Sequence, residues 1–245
     1  MVAGRVGVTR GALRCVMVAA CMTAGVARAD SSALQDVTGD GQVSILTFGD
    51  SLTYGVGDGS NPGDVVEIIA DSGSPRGYPL RVSAATGVAV SNAGEPGERL
   101  SPNGVARLPG LIVGSDIDTV VFMEGTNDSF FQVDAREYRL ALQKAINVAK
   151  AEGKSVVLNT LPPPVANRAS LAPFTSLYSS IVRELSALNR VAFADLEQRF
   201  LTDCPDLSSC QLYNIPEGLH PNTVGYDVIA EEVLVALAAE GGSDE

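Results

Sequence analysis

The sequence contains one histidine and no tryptophan in 245 residues. Histidine is the side chain that most readily takes up a proton near neutral pH, so any chemistry that needs an imidazole base must use His220. The absence of tryptophan removes the indole ring as a platform for stacking sugars, although tyrosine and phenylalanine remain and can also stack. The sequence therefore limits imidazole catalysis to one position and weakly disfavours a carbohydrate substrate.

Cysteine is also scarce, and the chain has no Cys-x-x-Cys pair. Beyond residue 29 only Cys204 and Cys210 remain, and together with His220 they fall short of the four ligands of a structural zinc site. The segment that starts at Asp36 matches the first half of a calcium loop, but its last position is Thr47 rather than glutamate, which favours a glycine-rich turn. We therefore predict no metal or other cofactor. In an oxidising compartment Cys204 and Cys210 are expected to form a disulfide.

No apolar run approaches the roughly 20 residues that span a membrane. Residues 1–29 instead have the parts of a secretory signal peptide: a basic start, a short apolar stretch over 15–27 and the small-residue pattern Ala27-Arg28-Ala29. We expect cleavage before Asp30 and a secreted or periplasmic protein. The alternative is a lipoprotein signal that presents Cys21 for lipidation, but only six residues separate Cys21 from Arg14, which is short for an apolar core.

Residues 30–245 are predicted to form one domain, because their number suits a single core and no linker divides them. The whole chain has 29 acidic and 17 basic residues, for a net charge of −12. Removing the four arginines of residues 1–29 leaves 13 basic residues and a net charge of −16. Such a surface repels nucleic acid and anionic membranes. We therefore expect a small-molecule substrate, while charge carries no signal for oligomeric state.

Apolar strand-like runs alternate with amphipathic stretches along the domain, which is typical of a parallel sheet covered by helices on both faces. One helix is predicted to follow a capping box formed by Asp134 and Glu137, and the last helix to begin near Asn222. Five strands are predicted, at Val43–Phe48, Val88–Ser91, Thr119–Met123, Ser155–Leu158 and Val191–Ala194.

Polar residues follow the first three predicted strands. They are Gly49-Asp50-Ser51, Asn92-Ala93-Gly94 and Gly125-Thr126-Asn127-Asp128. Each motif alone is more typical of a turn than of a functional site. In a parallel α/β sheet, however, ligands bind beyond the carboxyl ends of the strands, so all three segments are expected to meet at one edge.

These segments contain the groups that acyl transfer to a serine requires. A serine hydroxyl is a poor nucleophile until a neighbouring base removes its proton, and Ser51 and His220 form a candidate pair. Glu217 precedes the histidine by three residues and can orient its ring. The N–H of Gly94 and the side-chain amide of Asn127 are candidate donors to the oxyanion that forms after attack.

Together these residues resemble the SGNH (GDSL) hydrolase family, in four blocks that occur in order from Gly49 to the His220 segment. The resemblance implies a flavodoxin-like three-layer α/β sandwich, Ser51 as nucleophile and His220 as general base. It also implies an oxyanion hole from the Ser51 N–H, the Gly94 N–H and the Asn127 side chain. The family usually has aspartate where this chain has Glu217, so a Ser–His dyad stands as an alternative to a triad. No Gly-x-Ser-x-Gly motif surrounds Ser51, which argues against the α/β-hydrolase fold.

The expected protein is a secreted serine esterase that acts on short- to medium-chain acyl esters, thioesters or lysophospholipids through an acyl-enzyme. A carbohydrate O-deacetylase and an acyltransferase are alternatives that use the same site, and a binding protein that has lost the chemistry is a remote one. The segment Gly55 to Gly77 contains small, polar and aliphatic residues and is expected to border the acyl pocket.

Overall fold

The computed structural model describes Met1 and residues 34–62, 65–66 and 76–241. The predicted signal peptide, with Cys21 and the cleavage site before Asp30, lies outside the described residues, as does most of the second half of the segment Gly55 to Gly77. Within the described part of the chain, no helix is both long enough and apolar enough to cross a membrane.

A five-stranded parallel sheet forms the centre of the domain. Its strands in chain order are β1 (Ser44–Gly49), β2 (Ala89–Gly94), β3 (Thr119–Met123), β4 (Ser155–Asn159) and β5 (Ala192–Ala194). They lie side by side in the order β2-β1-β3-β4-β5, which is the order of flavodoxin-like sheets and confirms the predicted fold class. Strands β1 and β3 are almost wholly buried, which explains why apolar residues predominate in both.

Nine α-helices are found among the described residues. They are α1 (Ser51–Tyr54), α2 (Tyr78–Thr86), α3 (Val105–Arg107), α4 (Pro109–Ile112), α5 (Thr126–Phe130), α6 (Ala135–Ala151), α7 (Ala172–Asn189), α8 (Leu196–Asp203) and α9 (Thr223–Gly241). Helix α2 packs against α9, and α6 packs against α7, so the sheet is covered by two helical layers. A separate short parallel pair joins Val65–Val66 to Ile215–Pro216.

Strand β2 differs from the prediction, because it continues three residues further, to Gly94. Its register pairs Thr47 of β1 with Asn92 and Gly49 with Gly94. Asparagine and glycine are both depleted in strands, so the sequence predicts an end at Ser91. Pairing with the neighbouring strand outweighs this preference, and the loop after β2 consequently begins at Glu95.

Only half of the predicted capping box before α6 is present. The carboxylate of Asp134 accepts the N–H groups of Arg136 (2.9 Å) and Glu137 (3.4 Å), as predicted for an N-cap. The side chain of Glu137 instead accepts a hydrogen bond from the hydroxyl of Ser101 (2.7 Å). Glu137 therefore bonds to Ser101, which is distant in the sequence, and not to the backbone N–H of Asp134 that a capping box requires.

A disulfide joins Cys204 and Cys210, as predicted, and both residues are buried. It lies between α8 and the segment that leads to His220. The candidate calcium loop is a turn in which the carboxylate of Asp36 accepts the N–H groups of Gly39 (2.6 Å) and Gly41 (2.8 Å).

Removing this disulfide should destabilise the domain. We expect the double variant Cys204→Ala/Cys210→Ala to lose about 2 kcal/mol of unfolding free energy, since the bridge closes only a short loop in the unfolded chain. Denaturant titration of the variant, beside Ser208→Ala in the same loop as a control, measures this loss. Equal midpoints for the double variant and the wild-type protein would contradict the expectation.

Candidate active site

The end of β1 fixes the position of Ser51. Helix α1 turns back so closely that a Cβ on Gly49 would lie 2.0 Å from the hydroxyl oxygen of Thr53 and 2.2 Å from the carbonyl of Met123, so only glycine fits there. The carboxylate of Asp50 caps this short helix by accepting the N–H of Leu52 (2.9 Å). Ser51 is consequently held at the carboxyl end of β1, as predicted.

A buried asparagine places the His220 loop beside Ser51. The carbonyl of His220 accepts the backbone N–H of Asn214 (3.0 Å) and its side-chain Nδ2 (3.1 Å). The same Nδ2 also donates to the carbonyls of Pro221 (3.0 Å) and of Gly57 (3.2 Å), which lies just after α1. Asn214 therefore ties the C-terminal loop to the segment that follows the candidate nucleophile.

Ser51, His220 and Glu217 form a continuous hydrogen-bonded chain. The Nε2 atom of His220 lies 2.9 Å from the Ser51 hydroxyl oxygen, and its Nδ1 lies 3.2 Å from Oε1 of Glu217. If Nδ1 carries the proton, the ring donates to the carboxylate and accepts from the serine. This is the arrangement that general-base activation of a serine requires.

The longer side chain of Glu217 is accommodated by its own loop. Its Oε2 atom accepts the backbone N–H groups of Leu219 (2.8 Å) and His220 (2.9 Å), which directs Oε1 towards the ring. Burial alone raises the pKa of Glu217, but the hydrogen bonds from the His220 ring and from these two N–H groups outweigh burial and hold the pKa below its ordinary value. Glu217 is thus kept as a carboxylate in contact with the histidine.

Asn127 lies at the start of α5, and Asp50 orients it. The Nδ2 atom of Asn127 is 3.4 Å from Oδ2 of Asp50, the same carboxylate that caps α1. Burial raises the pKa of Asp50 to about 6, although the Leu52 N–H and the charge on His220 both act to lower it. The sequence does not predict this role of Asp50, because nothing in a Gly-Asp-Ser turn indicates that the aspartate side chain reaches another strand end.

The structure does not bring Gly94 to this site. Its N–H donates to the side-chain oxygen of Asn92 (2.9 Å), and a Cβ on Gly94 would lie 2.2 Å from the backbone nitrogen of Tyr54. Gly94 therefore allows α1 to pack against β2 and presents no donor to an oxyanion. Gly97, three residues further along, lines the cleft beside Ser51 and Asn127 instead. The sequence has glycine at both positions, and the observed end of β2 determines which of the two lies at the cleft.

A cleft of about 510 Å³ opens above Ser51. Its lining includes the polar residues already described together with apolar ones. The apolar lining consists of Val56, Pro96, Phe130, Phe131 and Leu219. Val56 belongs to the segment Gly55 to Gly77, so the described part of that segment does border the cleft.

The chain matches the GDSL-like lipase/acylhydrolase family over residues 47–228, which is most of its length. The match extends from β1 into α9 and includes Ser51, Asn127, Glu217 and His220. The chain therefore belongs to this family, and it is an ester hydrolase. No curated protein sequence matches the chain.

Solved structures share the fold at low sequence identity. LAE5, an α/β hydrolase enzyme from the metagenome of Lake Arreo in Spain, has a TM-score of 0.65 at 21% identity over 81% of this chain and 96% of its own. The lipase/acylhydrolase of Enterococcus faecalis has a TM-score of 0.63 at 23% identity over 81% and 96%. Axe2, an acetylxylan esterase from Geobacillus stearothermophilus, has a TM-score of 0.63 at 20% identity over 86% and 98%.

Asp50→Asn should make the protein more stable and less active. The pKa of Asp50 in the folded state, about 6, lies above its ordinary value of 3.8. The ionised carboxylate therefore destabilises the fold above about pH 6, and this penalty disappears as the pH falls towards 3.8. Asparagine is an equally good N-cap, so the variant should gain up to about 3 kcal/mol at about pH 8 and less at about pH 5.

Turnover of the same variant should fall roughly 10–100-fold. The Leu52 N–H and the Asn127 amide contact different oxygens of Asp50, and asparagine replaces one of these acceptors with an NH₂ donor. Thermal unfolding at the two pH values and ester turnover measure both effects. Asp134→Asn, at the exposed N-cap of α6, is the matched control and should change neither. A pH-independent stability difference for Asp50→Asn would contradict the assignment.

Proposed function

We propose that this protein is a secreted serine esterase that cleaves carboxylic esters through a covalent acyl-enzyme. The observation that carries the proposal is the chain of contacts Ser51–His220–Glu217, with distances of 2.9 and 3.2 Å, at the base of an open cleft. The signal-peptide pattern of residues 1–29 and the disulfide between Cys204 and Cys210 support secretion.

In the first step His220 Nε2 takes the proton of Ser51 as the hydroxyl oxygen attacks the ester carbonyl. The resulting imidazolium is stabilised by the carboxylate of Glu217, which also holds the ring in the productive tautomer. The imidazolium then protonates the departing alcohol, and the acyl group remains on Ser51. A water molecule, deprotonated by His220, attacks this acyl-enzyme and releases the acid.

Three donors are available to the oxyanion. They are the Ser51 N–H, the Gly97 N–H and the side-chain amide of Asn127. The first N–H groups of a helix have no partner within it, and Ser51 is the first residue of α1. Asp50 takes one hydrogen of the Asn127 amide, which leaves the other free to donate. Donors fixed in this way are worth roughly 3–4 kcal/mol each to the transition state.

The apolar lining of the cleft suits the acyl group. Val56, Phe130, Phe131 and Leu219 line it, and its volume of about 510 Å³ has room for a short or medium acyl chain. A carbohydrate O-deacetylase remains the second candidate, because Phe130 and Phe131 are about half exposed and can stack against a sugar. A strong preference for acetate together with release of acetate from acetylated oligosaccharides would favour that candidate.

Ser51→Ala should abolish ester hydrolysis. We expect turnover of p-nitrophenyl esters, tested from acetate to palmitate, to fall roughly 10⁶-fold because the nucleophile is lost. A fluorophosphonate probe should label the wild-type protein and not the variant. Ser180→Ala, an exposed serine on α7, serves as the control and should keep full activity and labelling. Undiminished hydrolysis by Ser51→Ala would rule out Ser51 as the nucleophile.

Glu217→Gln tests whether the site works as a triad or as a dyad. The amide keeps the shape of the side chain but loses the charge that stabilises the imidazolium, so turnover should fall roughly 10²–10⁴-fold. Glu217→Asp keeps the charge on a shorter side chain and should retain more activity than Glu217→Gln. A Glu217→Gln variant with a near wild-type rate would establish a Ser–His dyad.

A further inference from the structure

Two arginines near the cleft, Arg99 and Arg168, form no close ion pair with a carboxylate of the described residues. Five arginines elsewhere form close ion pairs with carboxylates: Arg81, Arg107, Arg139, Arg183 and Arg199. By contrast, within the described residues the guanidinium groups of Arg99 and Arg168 have no hydrogen-bond acceptor. The carboxylate oxygen nearest to Arg168 is Oε1 of Glu217, 3.9 Å from Nε, which is beyond hydrogen-bond reach.

Both guanidinium groups instead lie over exposed phenylalanine rings. Arg168 is 5.7 Å from the ring centre of Phe130, and Arg99 is 4.9 Å from that of Phe131. The two rings contact each other edge to face, with centres 5.5 Å apart, and are 51% and 59% exposed. The four side chains form a continuous rim, which we call the Arg–Phe rim, and three of them line the cleft that contains Ser51.

The backbone that carries Arg168 is tied to the His220 loop. The N–H of Val165 donates to the carbonyl of Gly218 (2.7 Å), and the N–H of Arg168 donates to the carbonyl of Val165 (2.8 Å). The hydroxyl of Tyr213 donates to the carbonyl of Pro163 (2.6 Å) in the same loop. Arg168 is therefore held at a fixed place beside the cleft.

The position of Arg168 is not explained by a need to neutralise the charge of Glu217. The Glu217 carboxylate already accepts three hydrogen bonds, from the N–H groups of Leu219 and His220 and from the His220 ring. Because the guanidinium donates none of these, its planar set of N–H donors is available to a ligand. Such a set matches the oxygens of a carboxylate or a phosphate.

We propose that the Arg–Phe rim is a subsite for an anionic oxyacid group, a carboxylate or a phosphate, carried by the ester substrate. This inference rests on the proposed function. Arg168 binds the anion beside the scissile bond, Arg99 adds a second positive charge, and the phenylalanines pack against the apolar part of the substrate. The whole chain has a net charge of −12 and repels anions at long range, so recognition relies on close contact at the rim.

Matched pairs of esters test the proposal and distinguish the two anions. The carboxylate pair is p-nitrophenyl valerate and the mono-p-nitrophenyl ester of glutarate, which differ in the charge at the end of the acyl chain. The phosphate pair is monobutyryl glycerol and its glycerol-phosphate counterpart, which differ in the charge on the alcohol. For each pair the measured quantity is the ratio of kcat/KM for the anionic ester to that for the neutral ester, in wild-type protein, Arg168→Gln, Arg168→Lys and Arg99→Gln.

We expect the wild-type protein to prefer the anionic member of at least one pair. Arg168→Gln should lower that ratio by roughly tenfold or more, since a hydrogen-bonded charge is lost. Arg168→Lys should recover part of the ratio, because it keeps the charge without the planar donors, and Arg99→Gln should lower the ratio less. Arg190→Gln, an exposed arginine before β5 at the far edge of the sheet, is the matched control and should leave the ratio unchanged.

Two results would contradict the proposal that the Arg–Phe rim is an anion subsite. One is a wild-type protein that hydrolyses the neutral esters but does not prefer either anionic ester. The other is an Arg168→Gln variant in which both members of a pair lose kcat/KM equally, as expected if Arg168 acts only through Glu217. A wild-type protein that hydrolyses none of the esters and does not react with a fluorophosphonate would instead overturn the proposed function itself.

Discussion

The contact between Ser51 and His220 is the constraint on which the rest of the site depends. The two residues are 169 positions apart in the chain, yet their side chains lie 2.9 Å from each other. One is fixed by the end of the first strand of the sheet and the other by a loop just before the last helix. The contact therefore forms only in the completed fold. Asn214, which bonds to both segments, shows that buried polar groups away from the reacting atoms maintain it.

The site is also a place where stability and function conflict. Asp50 is a fully buried carboxylate whose pKa is raised to about 6, so its ionised form opposes folding at neutral pH. The same ionised form is able to accept hydrogen bonds from Leu52 and from Asn127 together, and so links the helix that carries Ser51 to the helix that carries Asn127. An uncharged residue would remove the unfavourable burial and would also break this link.

Local sequence patterns predict some elements of this fold accurately and misplace others. The sequence predicts the limits of β3 correctly, because a strand buried on both faces is almost continuously apolar. The end of β2 was placed three residues too early, since Asn92 and Gly94 resemble a turn until they pair with β1. Gly94, predicted as an oxyanion donor, consequently lies within the strand, and Gly97 lines the cleft. The partner of Glu137 is likewise not predictable from local sequence, because Ser101 is distant from it in the chain.

The sequence by itself determined the fold class, the single histidine available as a base and the serine after the first strand, because periodicity and composition are local properties. Only the tertiary structure decided that Glu217 reaches the ring, that Asp50 orients Asn127 and that Gly97 lines the cleft. It alone also placed Arg168 and Phe130 beside Ser51. Each of these depends on which atoms of distant segments come within about 3–4 Å of each other, and the chain sets such distances only once the sheet, helices and loops are packed together.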